Sequence, residues 1–297
     1  MYEEYKRSTL RIKGSFGSIL FDILNIVFMA FICFTMLYPF IYLAAISFTS
    51  GDMALSHITF FPLKPTLNNY AAMISFKFIR TGAINSVLRV ILGVSANLFF
   101  ITLTAYPLSK KYLPNRTFWT AIFVATMFFS GGIIPTYLLF INLKLINSIW
   151  ALVLTGMIPT FSVLLVRNYL MSIPLSLEES ARIDGAGEIT VLARVLLPLL
   201  KPILATVTLW AIVGHWNAWF DSMIYIRDQD KQVLQVIMRN IINSGMINTG
   251  AISLSAAVTP ETLKAATILI TTVPVICIYP FLQKYFVKGI MVGSLKG

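Results

Sequence analysis

The sequence predicts an all-α integral membrane protein with six transmembrane helices, because of its composition and the spacing of its charges. Of its 297 residues, 57% are hydrophobic and only 12% are charged, and the mean hydropathy is +0.80. A soluble domain carries about 25% charged residues. Six windows lack Asp, Glu, Lys and Arg, and a spanning helix needs about 20 apolar residues. These windows are 23–51, 90–109, 117–143, 145–166, 202–220 and 265–283.

Each window predicts one helix of a six-helix domain over residues 19–290. The predicted helices cover about 19–48, 82–109, 117–140, 146–169, 202–221 and 265–287. Pro39 falls late in the first helix, where we expect a kink. A basic arm, 1–18, precedes the domain, and a short tail, 291–297, follows it. Segment 221–264 is expected to be a loop, since its second half is rich in Asn, Ser, Thr and Gly.

The distribution of Lys and Arg predicts the orientation in the membrane. The N-terminal arm, the 110–116 loop, the 167–201 segment and the C-terminus together contain 14 Lys and Arg, against 8 in the loops of the other side. Cytoplasmic loops carry the excess of positive charge. Both termini are therefore expected in the cytoplasm, and 221–264 is an outer loop.

Several classes of function are disfavoured by what the sequence lacks. No carboxylate lies inside the six windows, which disfavours proton or sodium coupling. There is no Gly-Lys pair and hence no phosphate-binding loop of the G-x-x-x-x-G-K-[ST] type. The two histidines have no metal-ligand spacing, and the basic residues form no nucleic-acid-binding face. The chain is expected to bind no metal or cofactor, to lack enzymatic activity, and to rely on another chain for energy.

The segment 172–190 is the most structured part of the predicted cytoplasmic side. Pro174 precedes a short helix, Ser176 and Glu179 have the spacing of a capping box, and Gly185 and Gly187 end the helix. Such a helix, tethered at both ends to spanning helices, is suited to docking in a groove of a partner. A plain amphipathic surface helix is the alternative interpretation.

This segment resembles a known family signature. Glu179-Ser-Ala-Arg-Ile-Asp-Gly185, followed by Leu197-Pro198, is similar to the E-A-A…G…L-P motif of permease subunits of binding-protein-dependent ABC importers. Ser180 stands where the motif has its usual second alanine. The C-terminal run 279–297 resembles the carbohydrate-importer branch, MalG-like, and is closer still to permeases for oligosaccharides derived from polysaccharides.

The resemblance implies a type I ABC importer permease fold and a function. The chain would translocate an oligosaccharide, with acidic sugars among the candidates, by alternating access across the bacterial cytoplasmic membrane. Implied partners are a second homologous permease, two ATPase subunits that hold ATP and Mg, an extracytoplasmic solute-binding protein and membrane lipid. The alternatives are a self-sufficient secondary transporter or channel, and a membrane enzyme acting on lipid-linked sugars.

The resemblance also assigns residues that contact the ATPases. The signature helix is the coupling helix of the family, which docks in a cleft of the ATPase. The coupling residues would be Glu178, Glu179, Ser180, Ala181, Asp184, Gly185 and Gly187. The family's C-terminal tail also reaches the ATPases, and a frayed tail is the alternative. The tail residues would be Gly293, Ser294, Lys296 and Gly297.

Substrate and binding-protein contacts are predicted from residue chemistry. Sugars are bound by aromatic faces, amides and hydroxyls, so the pathway candidates are Asn85, Arg89, Asn97, His215, Trp216, Asn217 and Trp219. The two tryptophans fit an interfacial aromatic belt equally well. Arg89 could meet an acidic sugar, snorkel, or pair with a neighbouring subunit. In the predicted outer loop, the candidates for contact with the binding protein are Asn240, Asn243, Ser244 and Asn248. The alternative interpretation is that this loop is a disordered connector.

Overall fold

A computed structural model describes residues 16–51, 60–62, 64–243 and 258–294, with side chains up to Ile278 and at Pro280. The described residues are helical apart from connecting turns and one isolated antiparallel bridge between Thr49 and Pro65. The helices are α1 Phe16–Ser47, α2 Asn68–Ser75, α3 Lys77–Ser109, α4 Arg116–Phe128, α5 Ile133–Asn142, α6 Ile149–Leu154, α7 Thr160–Ser172, α8 Leu175–Ile183, α9 Glu188–Thr190, a π-helical turn Val191–Leu196, α10 Leu197–Leu199, α11 Lys201–Asn217, α12 Phe220–Tyr225, a 3₁₀ turn Gln229–Lys231, α13 Leu234–Asn243 and α14 Pro260–Ser294.

Three helices are long and apolar enough to cross a membrane unaided: Phe16–Ser47, Lys77–Ser109 and Pro260–Ile278. Three further pairs reach that length only together, and each pair is bent at a short break. The bends are 108° between α4 and α5, 73° between α7 and α8, and 80° between Glu188–Leu199 and α11. The described chain thus has three to six candidate spans, in agreement with the predicted all-α membrane class.

Two predicted spans, 117–140 and 146–169, are broken, which corrects their prediction as continuous helices. Between α4 and α5, Gly132 has φ +84°, and between α6 and α7, Gly156 has φ +77°. Both angles lie in the left-handed region, which glycine adopts without steric cost. Pro159 then precedes α7 and has no N–H to extend a helix through the second break. Hydropathy alone does not register such breaks.

The expectation that 221–264 is a loop is wrong for its first half. Within the described residues up to 243, it contains most of α12, the 3₁₀ turn and α13. Helix α13 buries one apolar face, made of Leu234, Val236, Ile237, Met238 and Ile241. The 3.6-residue period of these side chains was present in the sequence. Because the charge of Arg239 interrupts this apolar stretch, α13 did not appear among the charge-free windows.

Other helix ends also differ from the predicted bounds. Helix α3 begins at Lys77, five residues before the predicted start at 82. Helix α14 continues to Ser294, so the predicted tail 291–297 begins as helix.

Helix α3 lies at the centre of the packing, against α7, α11 and α13. One buried cluster, near its C-terminal end, includes Ile101, Val166 and Leu196, and a second, near its N-terminal end, includes Ile79 and Ile237. Because lipid tails are as apolar as these side chains, the clusters stabilise the helix contacts through van der Waals packing. Helix α1, in contrast, packs along α14 and exposes most of its apolar side chains, as a helix in hydrocarbon does.

Candidate functional sites: a cavity between helix breaks and an exposed helix

A cavity of about 630 Å³ opens where the helix breaks meet. Its walls come from α3, the α6–α7 break, α11 and the start of α12. The polar and aromatic side chains on these walls are Arg89, Asn97, Thr155, Ser162, Trp210, His215, Asn217, Trp219, Phe220 and Asp221. The cavity therefore brings together five of the seven pathway candidates, which lie on segments far apart in the sequence.

Asn97 fastens the α6–α7 break to α3. Its Nδ2 donates to the carbonyl oxygens of Gly156 at 3.2 Å and Met157 at 2.7 Å. The break leaves these carbonyls without helical partners, and a buried carbonyl without a partner is costly. Asn97 Oδ1 lies 2.8 Å from Nε2 of His215, so the two side chains join α3, α11 and the break.

Gly93 makes room for the His215 ring between α3 and α11. A Cβ atom at Gly93 would lie 2.5 Å from both Cε1 and Nε2 of the ring. Real Cβ atoms do not approach other atoms so closely, so any side chain here would force the ring or α11 away.

We expect Gly93→Ala to destabilise the protein by about 1–3 kcal/mol through overpacking. Gly214→Ala, on α11 beside His215, is the matched control, since a Cβ atom there meets nothing within 4 Å. Thermal unfolding of the purified protein in detergent measures the difference. A Gly93→Ala protein that unfolds at the same temperature as Gly214→Ala would contradict the close packing.

Arg89 forms an ion pair inside the chain, which none of the three sequence-based interpretations included. It is 2% exposed on α3 and forms a bidentate pair with Asp221 at the start of α12. Its Nη1 also donates to the carbonyl of Ala218 at 3.0 Å, in the break between α11 and α12. The guanidinium charge is thus neutralised locally. Sequence analysis missed Asp221, because nothing in the sequence pairs positions so far apart.

Two pathway candidates lie away from the cavity. Asn85 donates to the backbone carbonyls of Asp230 and Gln232 at 2.8 and 3.1 Å, and so holds the 3₁₀ turn against α3. Trp216 is buried, and its Nε1 donates to the carbonyl of Thr271 on α14 at 2.9 Å. The aromatic-belt interpretation is therefore wrong for Trp216, whose indole packs inside the protein.

Trp219 and Asn217 remain available at the cavity. Asn217 is exposed at the end of α11, and Trp219 follows in the break before α12. The Arg239 guanidinium of α13 lies 3.7 Å from the centre of the Trp219 ring, in a cation–π contact. Trp219 thereby connects the cavity wall to α13.

The second site is α8 with the turn that follows it. The predicted capping box is absent: Pro174 is the residue before the helix, and no side chain caps it. Ser176 lies one position inside the helix, too late to act as its cap. The predicted end at Gly185 is confirmed, since this residue has φ +87°. Gly185 N–H donates to Arg182 O at 3.0 Å and Ala186 N–H to Ala181 O at 2.9 Å, a Schellman motif.

The coupling residues divide between two faces of this segment. Glu179, Ser180, Asp184, Gly185 and Gly187 are exposed. Glu178 is buried and forms an ion pair with Lys110, and Ala181 packs against the cluster near the C-terminal end of α3. Sequence analysis missed two apolar side chains on the exposed surface. These are Ile183, 86% exposed, and Ile189, 84% exposed.

A polar cluster binds this segment to the end of α3. Glu188 accepts hydrogen bonds from Tyr106 and Tyr112 and pairs with Arg182 at 2.8 Å. Burial and the neighbouring Glu188 carboxylate raise the pKa of Tyr112, so its hydroxyl remains a donor at neutral pH. Helices α8 and α9 are thus connected to each other and to α3.

The remaining predicted residues lie on α13 and α14 or beyond the described residues. Asn240 is half-buried and Asn243 is exposed at the end of α13, while Gly293 and Ser294 end α14. Ser244, Asn248, Lys296 and Gly297 lie outside the described residues. In the described part of the chain, no group of three or more His, Cys, Asp or Glu could hold a metal ion.

Broken apolar helices around a cavity, with the exposed helix α8 between two of them, are the arrangement expected of a membrane permease. No family model matches this chain. The chain is 39% identical over 281 residues to protein LplC of Bacillus subtilis (strain 168), covering 93% of this chain and 95% of LplC. It is 36% identical to the polygalacturonan/rhamnogalacturonan transport system permease protein YtcP of the same organism, covering 94% and 99% of the two chains.

A solved structure agrees with these sequence relatives. One chain of a bacterial ABC transporter involved in the import of the acidic polysaccharide alginate matches with a TM-score of 0.86 and 33% identity. The match covers 92% of this chain and 98% of that chain. The protein described here therefore belongs to the permease family of carbohydrate ABC importers, as its signature segment predicted.

Proposed function

We propose that this chain is one of two permease subunits of an ATP-driven importer that moves an oligosaccharide across the bacterial cytoplasmic membrane by alternating access. A single observation carries the mechanism. The exposed helix α8 is joined through Glu178 and Lys110 to α3, and α3 also lines the cavity. A movement imposed on α8 from outside the chain is thereby connected to the cavity walls.

The topology that fits this role has six spans, namely α1, α3, α4 with α5, α6 with α7, α11 and α14, and leaves α8 and α9 outside the bilayer. The excess of Lys and Arg places both termini, α8 and the C-terminal end of α3 in the cytoplasm. The N-terminal end of α3, the α11–α12 break and α13 then lie towards the outer surface. A span whose backbone is interrupted is tolerated where it lines a cavity, which fits the position of the α6–α7 break.

The docking surface for an ATPase subunit would be the exposed face of α8 and its C-terminal turn. Glu179, Ser180, Asp184 and Gly185 lie on that face, and Ile183 adds an apolar anchor of the kind found in protein interfaces. Glu178, in contrast, lies on the buried face of α8 and would hold α8 to α3 through its ion pair with Lys110. The tail residues from Gly293 onwards are proposed as a second contact with the ATPases.

The cavity is proposed as part of the sugar pathway. Asn217 and the rings of Trp210 and Trp219 offer an amide and aromatic faces, which suit sugar hydroxyls and apolar ring faces. The names of YtcP and of the alginate importer point to fragments of acidic polysaccharides as substrates. Because Asp221 neutralises Arg89, this cavity would contact the uncharged parts of such a fragment.

The remaining partners would meet the chain on its two surfaces. A solute-binding protein would deliver the sugar at the outer end, where Asn240, Asn243, Ser244 and Asn248 are proposed contacts. ATP and Mg would be held by the two ATPase subunits and none by this chain. The second permease would complete the pathway.

Reconstitution tests this function directly. The chain, its partner permease and the ATPases are purified together in proteoliposomes, and ATP hydrolysis is measured with binding protein loaded from a panel of neutral and uronate-containing oligosaccharides. We expect hydrolysis to rise only with a loaded binding protein. Sugar transport by this chain alone would instead support a self-sufficient transporter, and turnover of a lipid-linked sugar would support a membrane enzyme.

A further inference from the structure

Two buried ion pairs hold α3, one at Arg89 within the helix and one at Lys110 directly after its last residue. This helix runs uninterrupted from Lys77 to Ser109, whereas several of its neighbours are broken. Arg89 and Lys110 are separated by 21 positions, which at a rise of 1.5 Å per residue is about 30 Å. That length matches the hydrocarbon thickness of a bilayer, also about 30 Å. The two ion pairs are therefore separated along α3 by about the thickness of the hydrocarbon layer.

The cytoplasmic pair fixes the C-terminal end of α3 to α8. Lys110 follows the last residue of α3, and Glu178 lies on α8; each residue is only 7% exposed. The ammonium group of Lys110 also lies 4.2 Å from the centre of the Tyr106 ring. Arg182 lies 3.7 Å from the same Glu178 carboxylate. A movement of α8 consequently acts on the end of α3 through groups withdrawn from water.

The outer pair fixes α3 to the break after α11. Arg89 holds both Asp221 and the carbonyl of Ala218, so a single side chain orients the first residues beyond α11. Trp219 lies between these two residues and forms part of the cavity wall. Any displacement of α3 along its axis is therefore transmitted to the break and to Trp219.

The covalent route between the same two places is less direct. From α8 to Ala218 the chain passes through α9, a π-helical turn and α10, and then bends by 80° before α11. A bent and partly π-helical connection absorbs movement at its hinges. The uninterrupted α3 offers a stiffer path.

We propose that α3 is the rigid element that transmits movement of α8 to the α11–α12 break, and that Lys110 and Arg89 are the positioning residues at its two points of attachment. This inference rests on the proposed function. A buried ion pair is poor evidence for stability, because desolvation offsets the attraction, but its directional contacts fix the geometry of the groups that it joins. Fixed geometry is what a transmitting contact requires.

The cytoplasmic end is tested with Lys110→Met, Glu178→Gln and the double variant, each in the complete reconstituted importer. The quantity measured is the ratio of ATP hydrolysis with and without sugar-loaded binding protein, at equal amounts of assembled complex. We expect each single change to lower this ratio about tenfold, within the range of coupling energies between sites. The double variant should be no worse than the worse single one, because both changes break the same connection.

The matched control is Lys77→Met, which removes an ion pair from the other end of the same helix. Lys77 pairs with Asp230 at 3.0 Å, but both side chains are more than half exposed. An exposed pair contributes little, so the ratio should equal that of the unmodified importer. If Lys77→Met lowers the ratio as much as Lys110→Met does, the assignment is overturned, since removing any charged side chain from α3 would then have the same effect.

Two further outcomes decide the proposal. Unchanged ratios in both single variants, or losses that add in the double variant, overturn it. If a single variant fails to assemble, the double variant Lys110→Met/Glu178→Leu is used in its place, because it removes both charges and leaves neither unpaired. We expect this variant to assemble with a lowered ratio, and an unchanged ratio would overturn the proposal. An unmodified importer that shows no stimulation would instead contradict the proposed function.

Discussion

A Gly185→Val variant should assemble with its partners and lose most sugar uptake. Gly185 has φ +87°, where a side chain is strained even though an added Cβ atom would meet nothing within 4 Å. The left-handed conformation costs roughly 1–2 kcal/mol for a residue with a Cβ atom, and a β-branched side chain is a marked outlier there. The strain would open the turn that closes α8 and displace its exposed face.

The control for this prediction lies two residues further along the chain. Gly187 is also exposed and also has empty space around it, but its φ is −72°, which any residue adopts. Gly187→Val should therefore keep most of the uptake, measured with labelled oligosaccharide in cells and with stimulated ATP hydrolysis in proteoliposomes. Equal losses in both variants would show that added bulk at the docking surface, and not the turn, accounts for the effect.

The end of α8 could be predicted from the sequence because its cause is local. A glycine that closes a helix is identified from the chain itself, and Gly185 confirmed that expectation. The start of α8 was not predicted correctly, because Ser176 and Glu179 have capping-box spacing but lie inside the helix, after Pro174. Spacing alone does not determine which residue has the extended backbone that a cap requires.

The ion pairs could not be predicted, because their partners are distant in the sequence. Lys110 and Glu178 are 68 positions apart, and Arg89 and Asp221 are 132 apart. Only the packing of α3 against its neighbours brings these groups together. The pairing of Asp221 with Arg89 depends on how α12 packs against α3, which the sequence does not show.

Trp216 and Trp219 lie within four residues of each other, yet the sequence did not show which of them faces the cavity. Both lie near the end of α11 and both were candidates for sugar contact. Trp216 is still helical and faces α14, where it donates to a carbonyl. Trp219 lies beyond the last helical residue and faces the cavity. Because the helix ends between them, the 100° periodicity that would relate their directions no longer applies.

Arg89→Gln should cause a large loss of folded protein and of uptake. Removing one partner of a buried ion pair leaves the other charge unpaired, which costs about 3–5 kcal/mol. Asp221 would lose its cationic partner, and the carbonyl of Ala218 would lose its guanidinium donor. Arg80→Gln, at an exposed position nine residues earlier on α3, is the control and should have little effect.

The same variant distinguishes a positioning role for Arg89 from recognition of an acidic sugar. If the Arg89 guanidinium serves only to pair with Asp221, uptake of neutral and of uronate-containing oligosaccharides should fall by the same factor, measured per assembled complex. Arg89→Met/Asp221→Leu should then recover the amount of folded protein, since no unpaired charge remains. A loss confined to uronate-containing substrates would show that the guanidinium leaves Asp221 to bind sugar. Because Arg89 is 2% exposed and already bidentate, such a sugar would have to displace a carboxylate held in place by the fold, and we expect equal losses.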